Sequence, residues 1–183
     1  MTKQFRNIHI YLSLFFLPLA LMYALSGILY IAGFDQDVGA TKQTYILTKE
    51  IAKGQESQAL LEYLKENHLS VPSNMEAKMN RRSGALEMGG VHYSVSIKQN
   101  PDSTWTITTL KRSLMGDMIM LHKAKAKWYF DVLAIGFGIT LILLYISGLM
   151  ITLFNIKKNR RSQYMTILAG VFISVAVGAL SVM

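Results

Sequence analysis

The chain has no cysteine. That excludes a disulfide framework, a thiol nucleophile, a thiolate metal site and an iron–sulfur cluster, and it leaves the redox compartment open. Histidine is scarce too, with four in 183 residues. Charge is missing altogether from three long stretches, residues 7–34, 132–156 and 162–183. No hydrolase constellation is present, and Gly89-Gly90 and Gly136-x-Gly138 lack the strand–turn–helix setting of a phosphate loop. Nothing in the sequence marks an enzyme acting on its own.

What the chain does have is apolar length. A helix rises about 1.5 Å per residue, so about 20 apolar residues cross the hydrocarbon core of a bilayer. Each uncharged stretch is long enough. The sequence therefore predicts an α-helical membrane protein with three transmembrane helices, at residues 7–34, 128–156 and 162–183. Residues 35–112 form an extracytoplasmic module, and residues 113–127 an amphipathic interfacial segment.

The formal net charge of +8 has the sign of a nucleic-acid binder, but its distribution argues for a membrane protein and no nucleic-acid partner. Lys157, Lys158, Arg160 and Arg161 sit between the second and third spans, and Lys3 and Arg6 precede the first. Short loops rich in Lys and Arg stay cytoplasmic, so the amino terminus is expected inside and the module and carboxyl terminus outside. Lys123, Lys125 and Lys127 oppose this, but long translocated segments count little in that rule. The first apolar stretch is too long for a signal-peptide core and no A-x-A site follows it, so it reads as a retained anchor. The Arg81-Arg82 pair reads as a polar turn.

Small residues share helix faces in the spans: Ala20, Ala24 and Gly27 in the first, Gly136, Thr140, Ser147 and Gly148 in the second, and Gly170, Ser174, Gly178 and Ser181 in the third. Such faces let backbones approach closely in lipid. They are expected to pack the three helices together, or to pair the chain with a second copy or a larger membrane complex.

In the module, residues 57–68 read as a short amphipathic helix with Leu60, Leu61 and Leu64 on one face, stopped near Asn67 and Pro72. Val91, Tyr93, Val95 and Ile97 alternate with polar residues, as do Trp105, Ile107 and Thr109, and Asn100-Pro101-Asp102-Ser103 joins them as a hairpin turn. A weaker hairpin is expected at Met75, Ala77 and Met79 before Arg82-Ser83-Gly84. Together these predict a small α+β fold, one helix on one sheet face. From Ser113 the pattern is helical again, with Leu114, Met115, Met118, Ile119 and His122 on one side leading into the second span. Trp128 and Tyr129 suit the membrane interface.

This order of parts resembles the PepSY-associated transmembrane family, as a short three-span member. The resemblance rests on Ile8-His9-Ile10-Tyr11-Leu12, Leu25-Ser26-Gly27-Ile28, Leu121-His122-Lys123 and Tyr145-Ile146-Ser147-Gly148-Leu149, with the hairpin across residues 91–110 matching the PepSY strand pair. It implies a multi-pass protein of the bacterial inner membrane with a periplasmic module. It also implies an accessory role in iron, siderophore or haem-linked redox. The alternative is a non-catalytic module that binds a periplasmic protein or peptide, or regulates a protease.

His9 and His122 match family positions and are the candidate haem b ligands; an ionisable ring in lipid is costly and points to a function. The competing reading of each is an ordinary interfacial side chain. Antiparallel spans would leave the two about 30 Å apart along the membrane normal, so one haem cannot use both from one chain. A second copy or a partner must then supply the other ligand. Met115, Met118, Met120 and His122 are weaker copper candidates, since Met118 and Met120 point in different directions on a helix. His68 is expected to close a helix, His92 to lie on the polar face of a strand, and Asp131 to pair with Lys127 at i−4.

Overall fold

The computed structural model describes residues 2–81, 83–155 and 160–183. The chain divides into two compact units, Met1–Leu19 with Ala134–Met183, and Ala20–Leu133. Helix α1 (Thr2–Ile31) runs through both. It carries Pro18, which has no N–H to donate and so removes one rung of the helix's hydrogen-bond ladder. Lys3–Ile31, Trp128–Leu153 and Arg160–Val182 are the three helical stretches long and apolar enough to cross a membrane.

In the first unit the start of α1 lies against the later part of a long apolar helix. The elements that follow α1 in the chain, up to that helix, belong to the second unit and are described with it. The long helix spans Trp128–Leu149 and passes into a π-helical turn at Met150–Asn155. Its pairing with α1 is antiparallel. Residue numbers rise from His9 to Phe16 on α1 as they fall from Ser147 to Phe137 on the partner. Phe137, Thr140 and Ser147 are its buried residues, spaced to lie on one face. A Cβ added to Gly136 would rest 3.8 Å from the Phe16 ring, so the small-residue face expected on the second span is in use here. The helix at Arg160–Val182 differs: it buries none of its residues, and a Cβ at Gly170 or Gly178 would meet nothing. The small-residue face expected on the second apolar helix is packed here, whereas Ala20, Ala24 and Gly27 of α1 belong to the second unit and the ridge on the third helix stays bare within this one. Lys157 and Lys158, which carried much of the orientation argument, lie outside the described residues.

The second unit holds the sheet: β1 (Thr41–Leu47), β2 (Lys78–Met79), β3 (Leu86–Gly89), β4 (Tyr93–Gln99) and β5 (Trp105–Lys111), in the order β1-β5-β4-β3-β2. All neighbours are antiparallel. Helix α2 (Glu56–Glu66) buries Leu60 and Leu64 against Met88, Val95, Ile97, Trp105 and Ile107. The expected β4–β5 hairpin forms, and its alternation puts Val95, Ile97, Trp105 and Ile107 inside. The weaker one is shorter than expected: only Lys78 and Met79 pair with β3, Met75 and Ala77 precede the strand, and Arg82 of its turn lies outside the described residues. Strand β1 was not expected. It joins the edge of β5 from far away in sequence, Thr41 opposite Lys111 and Leu47 opposite Trp105.

The approach to the second span also differs from expectation. Helix α3 (Leu114–His122) is a separate element, buries Gly116 and Ile119, and leaves Leu114 and Met115 exposed. Ser113 caps its start by accepting from the Gly116 N–H at 3.2 Å. It stops because Ala124 takes a left-handed φ of 52°, with its N–H on Leu121 and the Lys125 N–H on Met120. That is the two-bond cap that satisfies a helix's last carbonyls. Helix α2 ends the same way, with His68 at φ 53°, its N–H on Lys65 and the Leu69 N–H on Leu64. The helix at Trp128–Leu149 follows α3 and is numbered α4, and the one at Arg160–Val182 is α5.

The module's two ends are fastened together. Arg112, 8% exposed, reaches Asp37 at 3.1 Å and the Val91 carbonyl at 3.0 Å. The Ser113 hydroxyl donates to the Val38 carbonyl at 2.6 Å. Gly116 lies so close to the Gln36 carbonyl oxygen that a Cβ there would collide with it.

Candidate functional site

Each candidate histidine has a serine partner. In the first unit, His9 Nδ1 is 2.9 Å from Ser147 Oγ on α4. In the second, His122 Nδ1 is 2.8 Å from Ser26 Oγ on α1. Both serines are followed by glycine, and both imidazoles lie over that glycine. A Cβ on Gly148 would sit 3.8 Å from His9 Cε1, and one on Gly27 would sit 3.5 Å from His122 Cε1. The same dipeptide thus makes the same notch twice, once on α4 for a histidine of α1 and once on α1 for the histidine ending α3.

Each serine hydroxyl also meets backbone carbonyls of its own helix, Ser26 at 2.7 Å from Met22 and 3.2 Å from Tyr23, and Ser147 at 3.0 Å from Leu144. Each hydroxyl thus bridges its helix backbone and one imidazole nitrogen, Nδ1, and so holds the ring in orientation.

The two surroundings differ. Beside His9 a groove of about 410 Å³ is lined by Leu141, Leu144, Tyr145, Gly148 and Leu149, with Thr152 at its end. Thr152 gives its hydroxyl proton to the Gly148 carbonyl, which keeps that group from facing the groove unpaired. Over His122 lies the Tyr23 ring, centroids 4.7 Å apart and tilted by 39°. Next to it Lys123 reaches the Gln36 side chain at 3.4 Å and stands over the Tyr30 ring at 4.5 Å.

The remaining candidates fall elsewhere. His92 does not lie on a strand face but precedes β4, and its Nδ1 pairs with Asp117 Oδ2 of α3 at 2.7 Å. His68 occupies the left-handed position after α2, so its backbone rather than its ring meets the helix's last carbonyls. Asp131 makes no salt bridge with Lys127; one of its carboxylate oxygens is buried without a hydrogen-bond partner. Among the described residues, no three His, Asp or Glu side chains gather into a metal-holding group.

Ser26 and Ser147 are the residues sequence reasoning passed over as site members. The available signal was the Ser-Gly pair, present once in each of two spans and matched in number by the two near-span histidines. A comparison of the chain with protein-family models, curated proteins and solved structures finds no match in any of the three.

Proposed function

We propose that the chain is a small PepSY-type protein of the bacterial inner membrane that serves as an accessory subunit in iron- or haem-linked redox at the periplasmic face. In this reading the amino terminus is cytoplasmic and the sheet module and carboxyl terminus are periplasmic. The observation that carries it is the pair of imidazoles each held through Nδ1 by a serine of a long apolar helix, His9 by Ser147 and His122 by Ser26, with an apolar groove beside His9. A b-type haem takes imidazole nitrogen as axial ligand, and with no cysteine in the chain the two histidines fit that need. His9 and His122 would hold it, one ligand at each site. A second copy of the chain or a partner subunit supplies the other, and the bare ridge on α5 suits such an assembly. When bound, the group supplies one-electron transfer. The chain's own residues do the rest: Ser147 and Ser26 fix ring orientation, and Leu141 and Leu149 keep water from the His9 side.

The test is spectroscopic. Detergent-solubilised protein, purified with its partners from haem-replete cells, shows a Soret band and the reduced α-band of a six-coordinate b-type centre. His9→Ala and His122→Ala each remove the signal of one site and spare the other. A colourless preparation overturns the redox reading.

A second reading has its own observation. β1 is an edge strand, paired with β5 on one side only and exposed at most of its positions. Such an edge accepts an extended peptide by main-chain pairing. A non-catalytic module binding a periplasmic protein, or regulating a protease, would use it. Co-purification of a periplasmic protein with a colourless chain is the outcome that favours this alternative.

A further inference from the structure

Across the helix-covered face of the sheet, side chains change from apolar to polar row by row. Strand pairing sets Tyr45, Ile107 and Ile97 in one row, then Gln43, Thr109 and Val95, then Thr41, Lys111 and Tyr93. Helix α2 covers the apolar rows and stops. Beyond its end the chain turns at His68, and His68, Leu69 and Ser70 close over the polar rows, leaving a cavity of about 280 Å³. Its polar lining is Thr41, Gln43, His68, Ser70, Tyr93, Thr109 and Lys111.

The lining is rich in donors and has no carboxylate. Lys111 makes no salt bridge among the described residues. Thr109 is 6% exposed and lines the cavity at the centre of the middle row. Gln43 accepts from the Tyr45 phenol through Oε1 at 2.8 Å, which leaves its amide N–H groups to donate. Burial raises the Tyr93 pKa from its ordinary 10.0, with the nearby Tyr45 adding to the shift, so the phenol stays a donor.

We propose that this cavity is a binding site for a small hydroxycarboxylate. The one cationic residue of the lining, Lys111, matches a carboxylate, and the hydroxyl and amide residues around it match hydroxyls carried on the same ligand. A phosphate dianion fits less well, because the site has no arginine and no helix N-terminus, and the helix end beside it is the carbonyl end of α2. The site is independent of the haem reading, since neither His9 nor His122 lines it.

The experiment titrates the full-length chain in detergent with gluconate by calorimetry. Sorbitol is the uncharged control and inorganic phosphate the dianion control. Saturable binding of gluconate, none of sorbitol and weaker binding of phosphate are expected. Lys111→Gln should weaken gluconate about tenfold, as loss of a charge-assisted hydrogen bond does. Thr109→Val should weaken it several-fold. His68→Gly guards against a folding artefact, because glycine is the default residue at that left-handed cap. It should raise the thermal midpoint while weakening gluconate. The proposal fails if gluconate does not saturate, if sorbitol binds equally, or if Lys111→Gln and Thr109→Val bind as tightly as the parent. Tighter binding of phosphate than of gluconate overturns the carboxylate assignment.

Discussion

Ser26 and Ser147 each hold an imidazole through Nδ1, at 2.8 and 2.9 Å, and so fix the ring's orientation. Removing the hydroxyl should loosen a site without abolishing it. On the proposed haem reading, Ser147→Ala or Ser26→Ala is expected to cost about 10–100-fold in haem affinity, as loss of an outer hydrogen-bond partner does, whereas the histidine variants lose the ligand. Titration with haem, followed by absorbance, separates the two classes. A different kind of dependence is carried by Gly116. A Cβ there meets the Gln36 carbonyl, which is backbone and cannot swing away. Gly116→Ala should therefore cost about 1–3 kcal/mol by overpacking, read as a lowered midpoint in thermal unfolding. Asp102 makes the hairpin turn sensitive to acid. The Thr104 hydroxyl and N–H donate to its carboxylate and hold its pKa below the ordinary 3.8. A lowered folded pKa means stability that is present above 3.8 and lost as pH falls through the folded value. Amide protection at residues 100–104 should decline over that acid range, and Asp102→Asn should remove the dependence.

Among the strands, β5 is paired on both sides and β2 is a two-residue edge. Hydrogen exchange should be slowest in β5 and fast in β2. Ile107 is fully buried in β5 beneath α2, so Ile107→Ala should cost about 2–5 kcal/mol. The β4–β5 hairpin was legible in the sequence because each strand alternates and the turn residues lie directly between them. Helix α2 was legible because Leu60 and Leu64 repeat at one turn. Strand β1 was not, because all but two of its seven positions are exposed and no period survives. Its partner, moreover, is some 60 residues away, so no local signal announces the pairing. The break after α3 was missed for a related reason. Ala124 occupies a position where glycine usually signals a stop, and alanine reads as helix former. As for the site, both histidines were picked out from sequence, but Ser147 lies 138 residues from His9 and Ser26 96 from His122. Separations of that size are closed only by packing between helices.

The orientation proposed for the whole chain rests on its basic residues and can be tested directly. A reporter fused after Met183 should be active in the periplasm, and one inserted near Asn159 only in the cytoplasm. The reverse pattern would put the sheet module inside. Residues 35–123 expressed alone should show mixed helix and antiparallel strand by circular dichroism, with Trp105 fluorescence typical of a buried indole, since the core of α2 and the sheet is internal to that stretch. The Arg112–Asp37 and Ser113–Val38 bonds carry a practical meaning as well. They bring the entry and exit of the module side by side, so the fold neither needs nor tolerates a wide gap between the two chain ends that feed it. Architecturally it is a cassette. It should be transplantable into a short extracytoplasmic loop between two adjacent helices of an unrelated membrane protein without prising those helices apart.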